Sequence, residues 1–182
     1  MPDSLTGLSY GGITMKAIVQ ERYGSADVLS LSDIEKPMLG DRDALVRVHA
    51  AGLDPGVWHL MTGLPYLVRL GFGLRKPRVR VLGVDVAGRV EAVGAEVTRV
   101  RPGDEVFGAG HGAFAEYARV REDRLVPKPP RLTFEEAAAI PTSGCTALQG
   151  LRDQGRVEPG RFSPGSRSRI WSSSPSSPMP GK

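Results

Sequence analysis

The residues best suited to chemistry follow the dipeptide Asp54-Pro55, where an indole and an imidazole stand side by side as Trp58 and His59. An imidazole titrates close to neutral pH, so His59 could donate a proton to a carbonyl oxygen as negative charge develops there. A carboxylate directly before a proline is typical of a helix N-cap with proline in the first turn. A purely structural alternative also stands, in which Trp58 packs against the domain and His59 faces solvent.

The chain offers little for metal or nucleophilic chemistry. Its one cysteine, Cys145, excludes an internal disulfide and a zinc site made only of cysteines. Because Cys145 lies among small residues, we expect a packed apolar thiol rather than a nucleophile. The serines, histidines and aspartates form no recognisable triad motif, and we expect His111 to be an ordinary surface or packing residue.

Short alternating apolar segments predict a mainly β domain with a few helices. The strands are expected at 15–19, 28–31, 44–50, 84–93, 105–107 and 112–120. The helices are expected at 55–62, after a capping box of Thr133 and Glu136, and at 143–151. The segment 64–82 is rich in basic residues and predicts a long loop, which either lines a substrate mouth or is solvated and mobile.

The positive charge of the chain is confined to its C-terminal end. The formal net charge is +4, yet Lys and Arg balance Asp and Glu over residues 1–160. Residues 161–182 contain eight Ser and four Pro with four basic and no acidic residues, so we expect a disordered tail. A charge excess placed there does not indicate a nucleic-acid-binding face.

The N-terminal end shows no targeting signal. Residues 1–14 have neither a basic start nor an apolar stretch, and we expect a disordered leader. No apolar run reaches the length of a membrane-spanning helix. A cytoplasmic protein without nucleic-acid or membrane partners is therefore expected.

Two stretches carry a resemblance to a known family. Residues 83–94 read GVDVAGRVEAVG, with PGDEV at 102–106, and residues 141–151 read PTSGCTALQGL. They resemble the medium-chain dehydrogenase/reductase superfamily, in the zinc-independent branch that includes quinone oxidoreductases. The resemblance implies a GroES-like, partly open antiparallel barrel over 15–150. It also implies that 151–160 begin a linker to a doubly wound cofactor domain.

The same resemblance implies a function and a set of site residues. Members of this branch are NADPH-dependent oxidoreductases that transfer hydride to a quinone, an enone or another carbonyl compound, and they commonly dimerise. The match places Asp54, Gly144 and Thr146 at the cofactor, with Trp58 and His59 as the catalytic candidates. Relatives usually have Asn at the position of Asp54, and an ionised Asp only accepts hydrogen bonds where Asn also donates.

The resemblance also bears on zinc. The positions that bind catalytic zinc in other members of the superfamily correspond here to Asp54, Val84 and Asp85. Valine cannot bind a metal, and two carboxylates lack the nitrogen or sulfur ligands that zinc sites contain. We therefore expect no zinc.

The family's glycine-rich turn does not follow Gly160. Residues 161–182 are too few for the βαβ unit of about 30 residues that begins such a domain. Their Ser, Pro and Arg bias is what a GC-rich gene encodes out of frame, so we expect a truncation or frameshift near codon 161. The chain would then lack the cofactor domain and its dimer contacts, bind NADPH weakly or not at all, and be inactive alone. The alternative is a stand-alone, non-catalytic GroES-like binding or assembly module.

Overall fold

The computed structural model describes residues 12–156, so most of the predicted leader and the whole predicted tail lie outside the described residues. The strands are β1 (Thr14–Gln20), β2 (Leu29–Glu35), β3 (Asp43–Ala51), β4 (Asp85–Val93), β5 (Glu105–Ala109), β6 (Tyr117–Arg121) and β7 (Leu125–Pro127). The helices are α1 (Pro55–Thr62), α2 (Val68–Phe72), α3 (Phe134–Ala138) and α4 (Pro141–Leu148), followed by a π-helical turn, Gln149–Gln154. The chain divides into two compact units, one extending to Thr146 and the other beginning at Ala147.

The strands form two antiparallel sheets. Five of them pair in the order β6-β3-β4-β5-β7, while β1 and β2 form a separate hairpin. Isolated bridges from Ala17 to Ala115 and from Val19 to Val81 join the hairpin to the segments beside the larger sheet. Within residues 12–156 the two sheets do not close into one continuous barrel. The prediction of a mainly β, partly open antiparallel barrel is therefore confirmed.

The main core lies on one face of the larger sheet. Alternating side chains of β3 and β4 point into it, and Val46 and Val86 are fully buried there with Val106 of β5. The first four residues of β4 are all buried, because α3 covers the opposite face with Ala137 against Ala87. The start of β4 thus runs through the interior, covered on both faces.

A capping box and a buried lysine hold α3 in place. The Thr133 hydroxyl accepts from the Glu136 amide at 3.1 Å, and the Glu136 carboxylate accepts from the Thr133 amide at 2.9 Å, as the sequence predicts. Lys128, whose side chain is only 6% exposed, donates to the Leu132 carbonyl at 2.7 Å and pairs with Glu105 at 3.2 Å. The hydrogen bond from Lys128 keeps the pKa of Glu105 below its usual range.

The structure corrects several predicted elements. The predicted loop 64–82 contains α2, which the periodicity did not reveal because this short helix has no buried residue. Instead, Arg69 holds it by donating to the Gly63 carbonyl at 3.1 Å. Strand β6 begins at Tyr117 rather than at 112, since Gly112 has a positive φ of 75° that interrupts extended backbone. Strand β7 was not predicted.

Candidate functional site

Helix α1 carries the catalytic candidates and starts at a local cap. Asp54 is its N-cap, and the Oδ1 atom accepts from the Gly56 amide at 2.6 Å, with Pro55 in the first position. Gly63 ends the helix in the left-handed region at φ 64°. The predicted N-cap at Asp54 is confirmed. The second carboxylate oxygen of Asp54, Oδ2, is buried and has no partner among residues 12–156.

The environments of Trp58 and His59 differ from those expected under the purely structural alternative. Trp58 is 50% exposed rather than packed away, and its ring meets the His59 ring edge-on at 5.1 Å between centroids. His59 is half-buried, and its Nδ1 lies 2.6 Å from the Leu64 carbonyl oxygen. Because a carbonyl oxygen can only accept a hydrogen bond, Nδ1 must carry a proton. In a neutral ring Nε2 then carries no proton and can only accept. His59 can therefore donate from Nε2 only as an imidazolium.

Helix α4 carries the other two predicted residues and starts at a distant cap. The residue before its first position is Ile140, which has no polar side chain. Asp85, at the start of β4, supplies the missing acceptor: its carboxylate accepts from the Thr142 amide at 3.1 and 3.2 Å and from the Thr142 hydroxyl at 2.6 Å. Asp85 is only 2% exposed. This role could not be predicted from the sequence, since Asp85 and Thr142 lie 57 positions apart.

Gly144 and Thr146, two of the three predicted cofactor residues, lie in the first turns of α4. The Gly144 amide donates to the Ile140 carbonyl at 2.6 Å, and Thr146 donates its hydroxyl proton to the Thr142 carbonyl at 2.7 Å. Thr146 is exposed, so its hydroxyl oxygen remains free to accept a hydrogen bond. Cys145 is also exposed, so the expected packed thiol is wrong.

Asp85 connects the two predicted regions. Its backbone carbonyl accepts from the Gly52 amide at 2.9 Å, two residues before Asp54, while its side chain caps α4. A Cβ added at Gly52 would lie 2.8 Å from the Asp85 Cβ and 2.5 Å from the Ala138 carbonyl oxygen, so only glycine fits there. One buried residue therefore anchors both the loop that leads to α1 and the start of α4.

The described part of the chain holds no group of three or more His, Cys, Asp or Glu side chains that could bind a metal ion. The Asp54 and Asp85 carboxylates both cap helices. The expectation of no zinc remains a prediction. Between positions 12 and 156, no helix combines the length and the apolar character that crossing a bilayer requires.

A cavity of about 670 Å³ lies away from the predicted residues, at the edge formed by β6 and the end of β2. Its lining includes the apolar side chains of Met15 and Ile34 together with His111 and Arg119. Arg119 already pairs with Asp43 at 3.5 Å and donates to a backbone carbonyl. None of the predicted site residues lines this cavity.

Comparison with known proteins identifies the domain. Residues 40–130 match the family model of the alcohol dehydrogenase GroES-like domain. A 2-methylene-furan-3-one reductase of Solanum lycopersicum is 37% identical over 154 residues, which is 78% of this chain and 38% of that protein. The quinone oxidoreductase structure from Coxiella burnetii is 35% identical with a TM-score of 0.71, over 81% of this chain and 47% of that one.

A mycobacterial structure complexed with NADPH also matches, at 26% identity and a TM-score of 0.67, over 79% of this chain and 42% of that one. The chain thus spans less than half the length of these relatives. The family-model match includes the five strands of the larger sheet and helix α1, whereas helix α4 lies beyond it. The chain therefore belongs to the alcohol dehydrogenase GroES-like domain family, within the medium-chain dehydrogenase/reductase superfamily of oxidoreductases.

Proposed function

We propose that this chain supplies the substrate-side part of an oxidoreductase that transfers hydride from NADPH to a quinone, an enone or another carbonyl compound. The observation that carries the proposal is the double anchorage at Asp85. It fixes the loop before Asp54 and the first turn of α4 to one buried point. Two segments held in this way can present groups to a single ligand in a constant arrangement, which is what orienting a cofactor requires.

The donor and acceptor sets suit the nicotinamide end of such a cofactor. Asp54 offers the buried acceptor Oδ2, which fits a ribose hydroxyl or an amide N–H. Thr146 uses its own proton within the helix and so presents an acceptor, suited to the amino group of a carboxamide. Gly144, on the same helix as Thr146, adds no side chain of its own. NADPH, when bound, supplies the hydride, and the residues of this chain orient and shield it.

The surface after α1 favours an apolar substrate. Large apolar side chains that are 42–75% exposed follow one another in the segment 64–74: Tyr66, Leu67, Leu70, Phe72 and Leu74. Trp58 adds a half-exposed aromatic face on α1. Flat, neutral carbonyl compounds such as quinones fit a surface of this chemistry better than anionic substrates do. His59, as an imidazolium, would donate to the carbonyl oxygen as charge develops there.

NMR titration of the full chain tests the proposal. Reduced nicotinamide mononucleotide and NADPH should both shift the amide signals of Asp54, Gly144 and Thr146. Adenosine 2′,5′-bisphosphate, the other half of the cofactor, should leave them unchanged, because the residues argued to contact NADPH here face only its nicotinamide end. The variant Thr146→Val, which removes the acceptor while preserving shape, should weaken the nicotinamide response. Equal shifts with the adenosine half, or none with either nicotinamide compound, would favour the non-catalytic binding module.

Turnover gives a second, independent readout. The chain alone should oxidise NADPH with a quinone no faster than a blank. Adding a separately produced dinucleotide-binding domain of a relative should raise that rate if the two parts associate. Quinone-dependent turnover by the chain alone would contradict the expected inactivity.

A further inference from the structure

The start of α4 depends on a side chain from a distant strand. A helix leaves its first backbone amides without intrahelical partners, and a polar residue at the N-cap usually accepts from one of them. Ile140 cannot do so. Asp85 accepts from both the amide and the hydroxyl of Thr142 instead, and its negative charge lies at the positive end of the helix dipole.

Because Asp85 is buried, its carboxylate has few alternatives to the contact with Thr142. A carboxylate that is 2% exposed has little water to replace a lost donor, so its orientation follows from its protein partners. The backbone of Gly52 also lies close to this side chain, since a Cβ added at Gly52 would come within 2.8 Å of the Asp85 Cβ. The buried surroundings thus fix the Asp85 carboxylate, and the carboxylate in turn fixes Thr142.

The hydrogen bonds continue from this point to the predicted cofactor contact. The Thr142 carbonyl accepts the Thr146 hydroxyl proton at 2.7 Å, one helical turn further on. Asp85 therefore sets the direction of Thr142, and Thr142 sets which way the Thr146 oxygen points. Without the cap, the first turn would fray and the Thr146 hydroxyl would lose its fixed partner.

We infer that Asp85 is a positioning residue for the nicotinamide contact, acting on Thr146 through Thr142 without touching the cofactor itself. This inference rests on the proposed function. It gives a second purpose to a buried carboxylate that otherwise serves only the fold. It also predicts that the contact depends on the Thr142 hydroxyl as a donor rather than on the shape of that side chain.

Two substitutions at one position test the inference in the full chain. Thr142→Ser retains both donors, whereas Thr142→Val retains the shape but removes the hydroxyl. Thr98→Val, at an exposed site in the same unit, is the matched control. Amide exchange in the first turn of α4 should accelerate about tenfold in Thr142→Val and remain unchanged in Thr142→Ser and Thr98→Val. Asp85→Asn should accelerate it further, and Thr142→Val suffices if Asp85→Asn does not fold.

A titration with reduced nicotinamide mononucleotide separates positioning from mere stability. Thr142→Val should weaken the shifts at Thr146 about fivefold, while Thr142→Ser binds like the parent chain. Unchanged binding by Thr142→Val would overturn the positioning role and leave the proposed function standing. If the parent chain itself shows no shift, the proposed function fails and the positioning role fails with it, whatever the exchange data show for the cap.

Discussion

Helices α1 and α4 both begin at a carboxylate, yet the two carboxylates reach them by different routes. Asp54 precedes α1 in the chain and caps it from two residues away, at 2.6 Å. Asp85 caps α4 across 57 residues, from the start of a strand that is covered on both faces. The first cap forms from local sequence, whereas the second exists only once the sheet and α3 have assembled. The difference separates a helix start that the chain encodes locally from one that tertiary structure imposes.

The largest effect should come from removing the tertiary cap. Asp85→Ala leaves the amide and hydroxyl of Thr142 without acceptors in a partly buried place and should lower the free energy of unfolding by about 3 kcal/mol. Urea denaturation followed by circular dichroism measures it. The control Asp33→Ala removes a carboxylate that is 61% exposed and should cost less than about 0.5 kcal/mol. Equal costs at the two positions would refute the contrast between buried and exposed carboxylates.

A smaller effect is expected at the other end of the locally encoded helix. Gly63 lies at φ 64°, and an added Cβ would come within 2.7 Å of Tyr23 and Arg69 atoms. Gly63→Ala should therefore cost about 2 kcal/mol. Gly71→Ala, inside α2 with open space around its Cα, provides the matched control and should be neutral or slightly stabilising. Thermal unfolding of the two variants side by side gives the comparison.

The local cap itself should matter less than the tertiary one. Asp54→Ala removes an N-cap acceptor at a partly exposed site and should cost about 1 kcal/mol, whereas Asp54→Ser keeps an acceptor and should recover most of it. The same pair informs the site. If the buried Oδ2 atom of Asp54 is a cofactor acceptor, Asp54→Ser should restore stability without restoring the nicotinamide response. If Asp54→Ser restores both the stability and the nicotinamide response, Asp54 serves only as a helix cap.

The same contrast explains which features could be predicted from the sequence. The caps Asp54, Gly63 and Thr133 follow from residue type and spacing over a few positions, and the alternating strands follow from periodicity. Asp85 and Lys128 could not be assigned, because their partners are chosen by strand pairing and by the path of the chain around α3. The resemblance proposed the site residues but did not reveal that one buried carboxylate connects the segments that carry them.

Glu122 sharpens the comparison further, since it is a long-range carboxylate acceptor that is not buried and that serves a loop rather than a helix start. Its Oε2 accepts from the amides of Thr98 and Arg99 at 2.9 and 3.1 Å, more than 20 residues away in sequence. These two backbone hydrogen bonds hold the pKa of Glu122 below its ordinary value of 4.5. The folded chain therefore binds the proton less readily than the unfolded chain.

The stability that Glu122 contributes is thus fully present above pH 4.5 and is lost as the pH falls through its lowered pKa in the folded state. Glu122→Gln keeps an acceptor oxygen but cannot titrate, so the variant should approach the parent chain in stability as the medium becomes acidic. Urea midpoints measured from neutral to acidic pH test this. Because Glu122 is open to water, the effect should be the smallest of the four and should shrink further in high salt. A stability difference that does not change with pH would mean that the ionisation of Glu122 is not the source of its contribution.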